Sequence, residues 1–378
     1  MSRIYFDNAA TTALHPEVKE AILPYLYSHF ANPSSIHSHG REARMLVEKA
    51  RKTIATLLNT SPSQIFFTSG GTEADNMSIV GAIEKYNIRH VISSKIEHHA
   101  VLHTLQNLEK KNIISLHFVN ILPSGDIDLQ HLETLLFKFP DSLVSLMHGN
   151  NEIGNMLDLE VVTALCKKHE ALFHSDTVQT MGHFKFDLKQ TKIDFLVGAG
   201  HKFHGLKGTG FLYLGEGISI PSFIKGGAQE RNMRGGTENI LGIVACAKAL
   251  DVSYINLEAD TLYIKDLKKY FIERIKNILP DVCFNGNCEN MENSLYTVVN
   301  VMFPKTEIAE MLLFNLDINQ ISVSGGSACT SGSNMGSHVL NVLYGNDDDR
   351  PAIRFSFSKF NTKAEIDFCM GVLKKLFK

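Results

Sequence analysis

Six cysteines in 378 residues form no Cys-x-x-Cys pair, lying instead at positions 166, 246, 283, 288, 329 and 369. A small disulfide-stapled scaffold is thereby excluded, and no paired metal-ligand pattern is offered. The thiols read as reduced, and the protein as cytoplasmic. Neither sign of charge dominates, since 37 Lys and Arg against 40 Asp and Glu leave −3, with no electrostatic footprint for nucleic acid or an anionic membrane. No apolar run approaches the roughly 20 residues that span a bilayer. The opening stretch MSRIYFDNAATT has no basic segment followed by an apolar one, so no leader or anchor is expected.

What is there is an ordinary globular mixture, 44% hydrophobic and 20% charged, long enough for a large domain with a smaller companion. From residue 40 to about 215, short β-branched and aromatic runs alternate with segments of helical period, the pattern of a mostly parallel sheet flanked by helices. Candidate strands are 65–68, 90–93, 114–119, 143–147, 171–174, 195–197 and 210–214, with candidate helices at 41–58, 72–86, 129–138 and 160–170 between them. Two long helical patterns follow at 239–252 and 260–279. The remainder alternates strand 298–303, helix 305–316, strand 321–323, helix 337–343, strand 352–357 and a helix from Thr362. We expect a large α/β domain over residues 16–255 and a small one formed by 1–15 and 256–378.

In an open α/β sheet the ligand sits beyond the carboxyl ends of the strands. Gly70, Gly71 and Thr72 follow the first candidate strand at a strand-to-helix turn, where helical N–H groups and a hydroxyl suit a phosphate. Thr72 with Asp75 three residues on also reads as an ordinary capping box. Lys202 lies in a glycine-rich turn after another strand and is a candidate Schiff-base nucleophile if partners exist. Asp176 and Gln179 end a strand 26 residues earlier. A lysine, an acid for a pyridinium nitrogen and anion donors are the three requirements of a pyridoxal 5′-phosphate site. His174 with Asp176 could alternatively belong to a metal pair, but no third ligand is evident. His98, after strand 90–93, could stack on a ring and move protons. Asn151, after strand 143–147, could bond a ring hydroxyl. The segment Ser322–Ser337 is Ser or Gly at 10 of 16 positions, with Cys329 at its middle, and a loop of that length is usually functional or disordered.

These residues stand in stretches that resemble the cysteine desulfurases of the NifS/IscS-like group in the class V aminotransferase superfamily. The matching stretches include YFDNAATT (5–12), FFTSGGTEADN (66–76), EHHAV (97–101), NNEIG (150–154), HSDTVQ (174–179), GHKFHG (200–205), GGAQERNMRGGTEN (226–239), SGGSACTSG (324–332) and IRFSFS (353–358). The resemblance implies a fold-type I pyridoxal-phosphate transferase with a seven-stranded, mostly parallel sheet in its large domain, acting as a homodimer on L-cysteine. It implies Lys202 as the cofactor lysine, Asp176 as the pyridinium partner, Gln179 and Asn151 as ring-side amides, and His98 as the stacking acid and base. Gly71, Thr72 and His201 would hold the phosphate, with Thr237 from the other subunit. Arg354 would grip the substrate carboxylate, and Cys329 would accept sulfur as a persulfide for transfer to iron–sulfur scaffold or other acceptor proteins. The sequence departs from the group at Ala199, where a phosphate-bonding serine is common, and at Leu206, where a proline is usual. No metal is expected.

Overall fold

The computed structural model describes residues 3–28, 30–325, 337–345 and 350–377. Cys329 lies outside them. Among the described residues there are thirteen strands: β1 (Ile4–Tyr5), β2 (Ile65–Thr68), β3 (His90–Ser93), β4 (Ser115–Phe118), β5 (Leu143–Ser145), β6 (Leu172–Asp176), β7 (Phe195–Ala199), β8 (Gly210–Leu214), β9 (Cys283–Phe284), β10 (Val298–Met302), β11 (Ile321–Ser322), β12 (Ser324–Gly325) and β13 (Ala352–Ser356).

Seven of them form the main sheet, in the order β2-β8-β7-β6-β5-β3-β4. Strands β7, β6, β5, β3 and β4 run parallel to one another, while β8 is antiparallel to both β7 and β2. The inner strands are apolar on both faces, as a sheet covered on both sides requires. Ile65, Phe67, Val144, Phe173 and Leu196 pack on one side under the helices Ser38–Leu57, Leu159–Lys168 and Ile240–Ile255. Phe66, Leu143, Phe195, Val197 and Leu212 alternate to the other side, under the helices Gly71–Tyr86 and His99–Lys110.

A separate core surrounds the four-stranded antiparallel sheet β12-β13-β10-β9, with Phe271, Phe303, Phe355 and Phe357 wholly buried against the helices Leu257–Ile278 and Lys363–Leu376. The two-residue β1 pairs in parallel with β11, so the start of the chain is built into this second region.

Several elements differ from the sequence expectation. The helix His99–Lys110 was absent from it, and the expected helix 305–316 breaks at Met311 into Glu307–Glu310 and Leu312–Ile318. The expected loop 322–337 is paired at its beginning: Ser322 lies opposite Tyr5, and Ser324–Gly325 pairs with β13. Among the described residues, no single helix is long and apolar enough to cross a membrane.

Candidate active site

At the carboxyl ends of β5, β6 and β7 a cavity of about 360 Å³ opens, and it collects nearly all the side chains singled out from the sequence. Gly71, Thr72, His98, Asn151, Asp176, Gln179, His201, Lys202 and Arg354 line it, together with Ala199. Thr237 does not; it is exposed, in a small neighbouring cavity beside Thr68, Ser69 and Gly236.

The turn at Gly70–Thr72 is not the capping box that the spacing allowed. Gly70 is the N-cap, with no side chain bonded to the first turn, and Asp75 is wholly buried. Gly71 is required by contact, since a Cβ there would lie 2.6 Å from Val178 Cγ2. An uncapped helix start with close backbone access is an anion-binding arrangement. Ala199, at the end of β7, adds no hydroxyl to it.

Asp176 ends β6 and is 6% exposed; its Oδ1 accepts the Val178 N–H at 2.9 Å, which fixes the carboxylate at the cavity wall. Lys202 Nζ donates to the carbonyls of Ala9 and Ala10 at 2.6 and 2.9 Å. Gln179 Nε2 donates to the same Ala9 carbonyl at 3.0 Å. The first dozen residues thus form one wall of the site: Thr12 N–H donates to the His201 carbonyl at 2.9 Å, and His201 Nδ1 meets Thr11 Oγ1 at 3.1 Å. Burial, with Lys202 and Lys207 nearby, lowers the His201 imidazole to about 4.

His98 is the N-cap of the helix His99–Lys110, and its Nδ1 accepts the Ala100 N–H at 3.1 Å. An acceptor nitrogen carries no proton, so neutral His98 holds its proton on Nε2. Burial lowers its basicity and favours that neutral form. Arg354, 1% exposed on β13, donates from Nη1 to the Asn151 carbonyl at 2.9 Å and from Nη2 to Asp7 Oδ1 at 3.0 Å. Its Nε is buried, with no hydrogen-bond partner among the described residues. Asn150, beside Asn151, is turned into the backbone, where its Oδ1 caps the Glu152 and Ile153 N–H groups.

The structure adds residues that the sequence did not single out. His99 and His338 line the cavity, with ring centroids 4.4 Å apart, and burial lowers His99 to about 4. His338 Nε2 donates to the Glu97 carbonyl at 3.0 Å, and Ser337 Oγ donates to the Glu152 carboxylate. Behind the wall, Glu97 Oε1 accepts from Ser94 Oγ at 2.8 Å and from Met147 N–H at 3.1 Å, while its Oε2 is buried without a partner among the described residues. Burial above all raises the Glu97 carboxyl to about 8, and burial with the charge of Asp176 raises Asp75 as well. His174 is no metal ligand here: its Nδ1 bonds Ser145 Oγ at 2.9 Å, its Nε2 lies 3.4 Å from Asp75, and burial lowers it to about 3. Among the described residues, no cluster of three or more His, Cys, Asp or Glu is placed to hold a metal.

Residues 4–368 match the family model for class-V aminotransferases. The chain is 40% identical over 370 residues to the putative cysteine desulfurase IscS 1 of Bacillus subtilis, covering 97% of this chain and 96% of the relative. Among solved structures, it resembles a NifS-like protein with a TM-score of 0.91 and 34% identity, over 99% of both chains. It also resembles SspA in complex with cysteine, with a TM-score of 0.79 and 30% identity, over 95% of this chain and 100% of that one.

Proposed function

Because the chain belongs to the class-V aminotransferase family, we propose that it is a pyridoxal 5′-phosphate-dependent cysteine desulfurase that converts L-cysteine to L-alanine and takes the sulfur onto Cys329. The observation that carries this reading is one cavity holding a lysine amine, a fixed carboxylate, an uncapped helix N-terminus and a buried arginine. That donor set fits the cofactor. Gly71, Thr72 and His201 would take its phosphate, Asp176 its ring nitrogen, Asn151 and Gln179 its ring hydroxyl, and Lys202 its aldehyde carbon. When bound, the cofactor supplies an electron sink that acidifies the Cα–H of the amino acid joined to it.

The chain's own residues do the rest. Lys202 gives up its hydrogen bonds to the Ala9 and Ala10 carbonyls when it acts as nucleophile and base. His98 gives and retakes one proton at Nε2, held in that tautomer by the Ala100 N–H. Arg354 turns its fork and its unpaired Nε to the substrate carboxylate, for which a planar bidentate donor is suited. Cys329 acts as a thiolate on the substrate sulfur: an S–S bond forms, the carbon–sulfur bond breaks, and a persulfide remains on the protein.

Thr237 serves the phosphate of a second copy in a homodimer, and the persulfide passes to iron–sulfur scaffold or thiolation partners in the cytoplasm. Residues 16–255 form the cofactor domain, and 1–15 with 256–378 form the companion that carries Arg354 and Cys329. The test is product analysis on purified protein with L-cysteine. With excess dithiothreitol, whose two thiols reduce the Cys329 persulfide to free thiol and sulfide as they close to a disulfide, sulfide and alanine should appear in equal amounts, and Cys329→Ala should retain cofactor yet release no sulfide. A keto acid in place of alanine, or full sulfide output from Cys329→Ala, refutes the reading.

A further inference from the structure

The turn Ser69–Gly71 hands β2 over to the helix Gly71–Tyr86, and its first residues face the cavity. Glu73, in the first turn, folds back so that its Oε2 accepts the Ser69 N–H at 2.9 Å. Arg234 then forks across the same carboxylate, Nε to Oε1 at 2.8 Å and Nη2 to Oε2 at 3.1 Å. The Glu73 side chain is only 9% exposed. Burial opposes its ionisation, yet the hydrogen bonds from Arg234 and Ser69 outweigh burial and hold the carboxyl below its ordinary value. A carboxylate is therefore fixed one residue from Thr72, at the helix end where an anionic ligand would bind. Left uncompensated, it would occupy the favourable end of the helix dipole and repel that ligand.

Arg234 arrives there on a strongly held segment. Glu230, four residues earlier, takes two hydrogen bonds from Arg51 at 2.7 and 2.8 Å and a third from the Phe67 N–H at 2.8 Å. Arg51 also donates to the Ile65 carbonyl at 2.8 Å and lies 4.8 Å from the centroid of the Phe67 ring. The backbone at Glu230, Arg231 and Asn232 is left-handed, with φ of 44°, 56° and 64°, a conformation that non-glycine residues keep only when their surroundings over-determine it. The buried Arg51–Glu230 pair supplies that constraint.

We propose that Arg234 and Glu73 are positioning residues for phosphate recognition, the guanidinium cancelling the Glu73 charge and fixing the turn so that the helix start favours the phosphate of the cofactor. This rests on the cofactor reading above. Neither residue lines the cavity; both act through the turn.

The experiment compares equilibrium binding of pyridoxal 5′-phosphate and of pyridoxal, which lacks the phosphate, to the full-length chain freed of cofactor. Wild type, Arg234→Ala, Glu73→Gln and the double variant are measured at low salt. Arg234→Ala should lose about tenfold in affinity for the phosphate ester while binding pyridoxal within about twofold of wild type. Adding Glu73→Gln to Arg234→Ala should restore most of the preference, because the uncompensated charge is gone. Added salt should shrink the defect of Arg234→Ala. Pyridoxal binding reports folding within the same series, so a misfolded variant is recognised by loss of both ligands. Equal losses for both ligands in a protein with wild-type circular dichroism, or a double variant no better than Arg234→Ala, overturn the proposal. If wild type prefers the phosphate ester and Arg234→Ala keeps that preference, only this inference falls. If wild type itself shows no preference, the cofactor reading falls with it.

Discussion

Replacing Glu97 with glutamine should stabilise the protein at neutral pH, by an amount that grows as the pH rises and vanishes near pH 5. In the folded chain, burial raises the Glu97 carboxyl from 4.5 to about 8, whereas the unfolded chain releases that proton near 4.5. Between these values the unfolded state binds fewer protons. Stability therefore falls by about 1.4 kcal/mol for each pH unit upward from 4.5, and levels off above about 8. At pH 7 the accumulated cost is ~3 kcal/mol, and at pH 5 it is below ~1 kcal/mol. Glutamine retains the oxygen that accepts from Ser94 and Met147, and its amide nitrogen replaces Oε2, which has no partner. That unpaired nitrogen subtracts a constant of about 1 kcal/mol or slightly more. The diagnostic quantity is thus the slope of the difference between variant and wild type, to which Asp75 adds in the same direction, because the Glu97 charge helps to raise its carboxyl and glutamine removes that charge. Urea unfolding at pH 5, 6, 7 and 8, with cofactor removed from both, measures it. A difference that stays flat between pH 5 and pH 8 would refute the reasoning, because a proton held by burial must appear as that slope.

Two predictions address the site directly. Lys202→Ala should purify without the visible absorbance of a lysine-linked cofactor, and an unchanged spectrum would refute the assignment of that amine. Arg354→Gln should raise the KM for L-cysteine by about tenfold or more, since a charge-assisted fork is lost, and should leave Asp7 without its cation. Steady-state kinetics that show an unchanged KM would remove Arg354 from substrate binding.

The main sheet was legible because its strands are buried on both faces and so read as short unbroken apolar runs, such as Ile65–Thr68 and Gly210–Leu214. The helix His99–Lys110 was missed although Val101, Leu105 and Leu108 keep the helical period. Its start signal was hidden, because the N-cap is His98, whose ring nitrogen does the work usually assigned to Ser, Thr, Asp or Asn. His15 and His37 cap two other helices in the same way. The set Lys202, Asp176, Gln179, His98 and Gly71 could be located because each follows a strand at the ligand edge. Asp7 could not: its partner Arg354 is 347 residues away, and no local pattern encodes a pairing at that distance. The Arg234–Glu73 fork spans 161 residues and was hidden for the same reason.

The wall that residues 4–12 build has a consequence for the order of assembly during synthesis. These residues are made long before their partners: β1 closes against β11, and the Asp7 carboxylate against Arg354 and Ser324. The Ala9 and Ala10 carbonyls meanwhile await Lys202, nearly 200 residues downstream. More than 300 residues must therefore be added before β1 and the Asp7 carboxylate can close, and these contacts form late, because contacts so distant in sequence carry the highest closure entropy. Completion of the lysine's surroundings thereby waits for the synthesis of β13, and a chain released before that strand is made carries the amine without its finished wall.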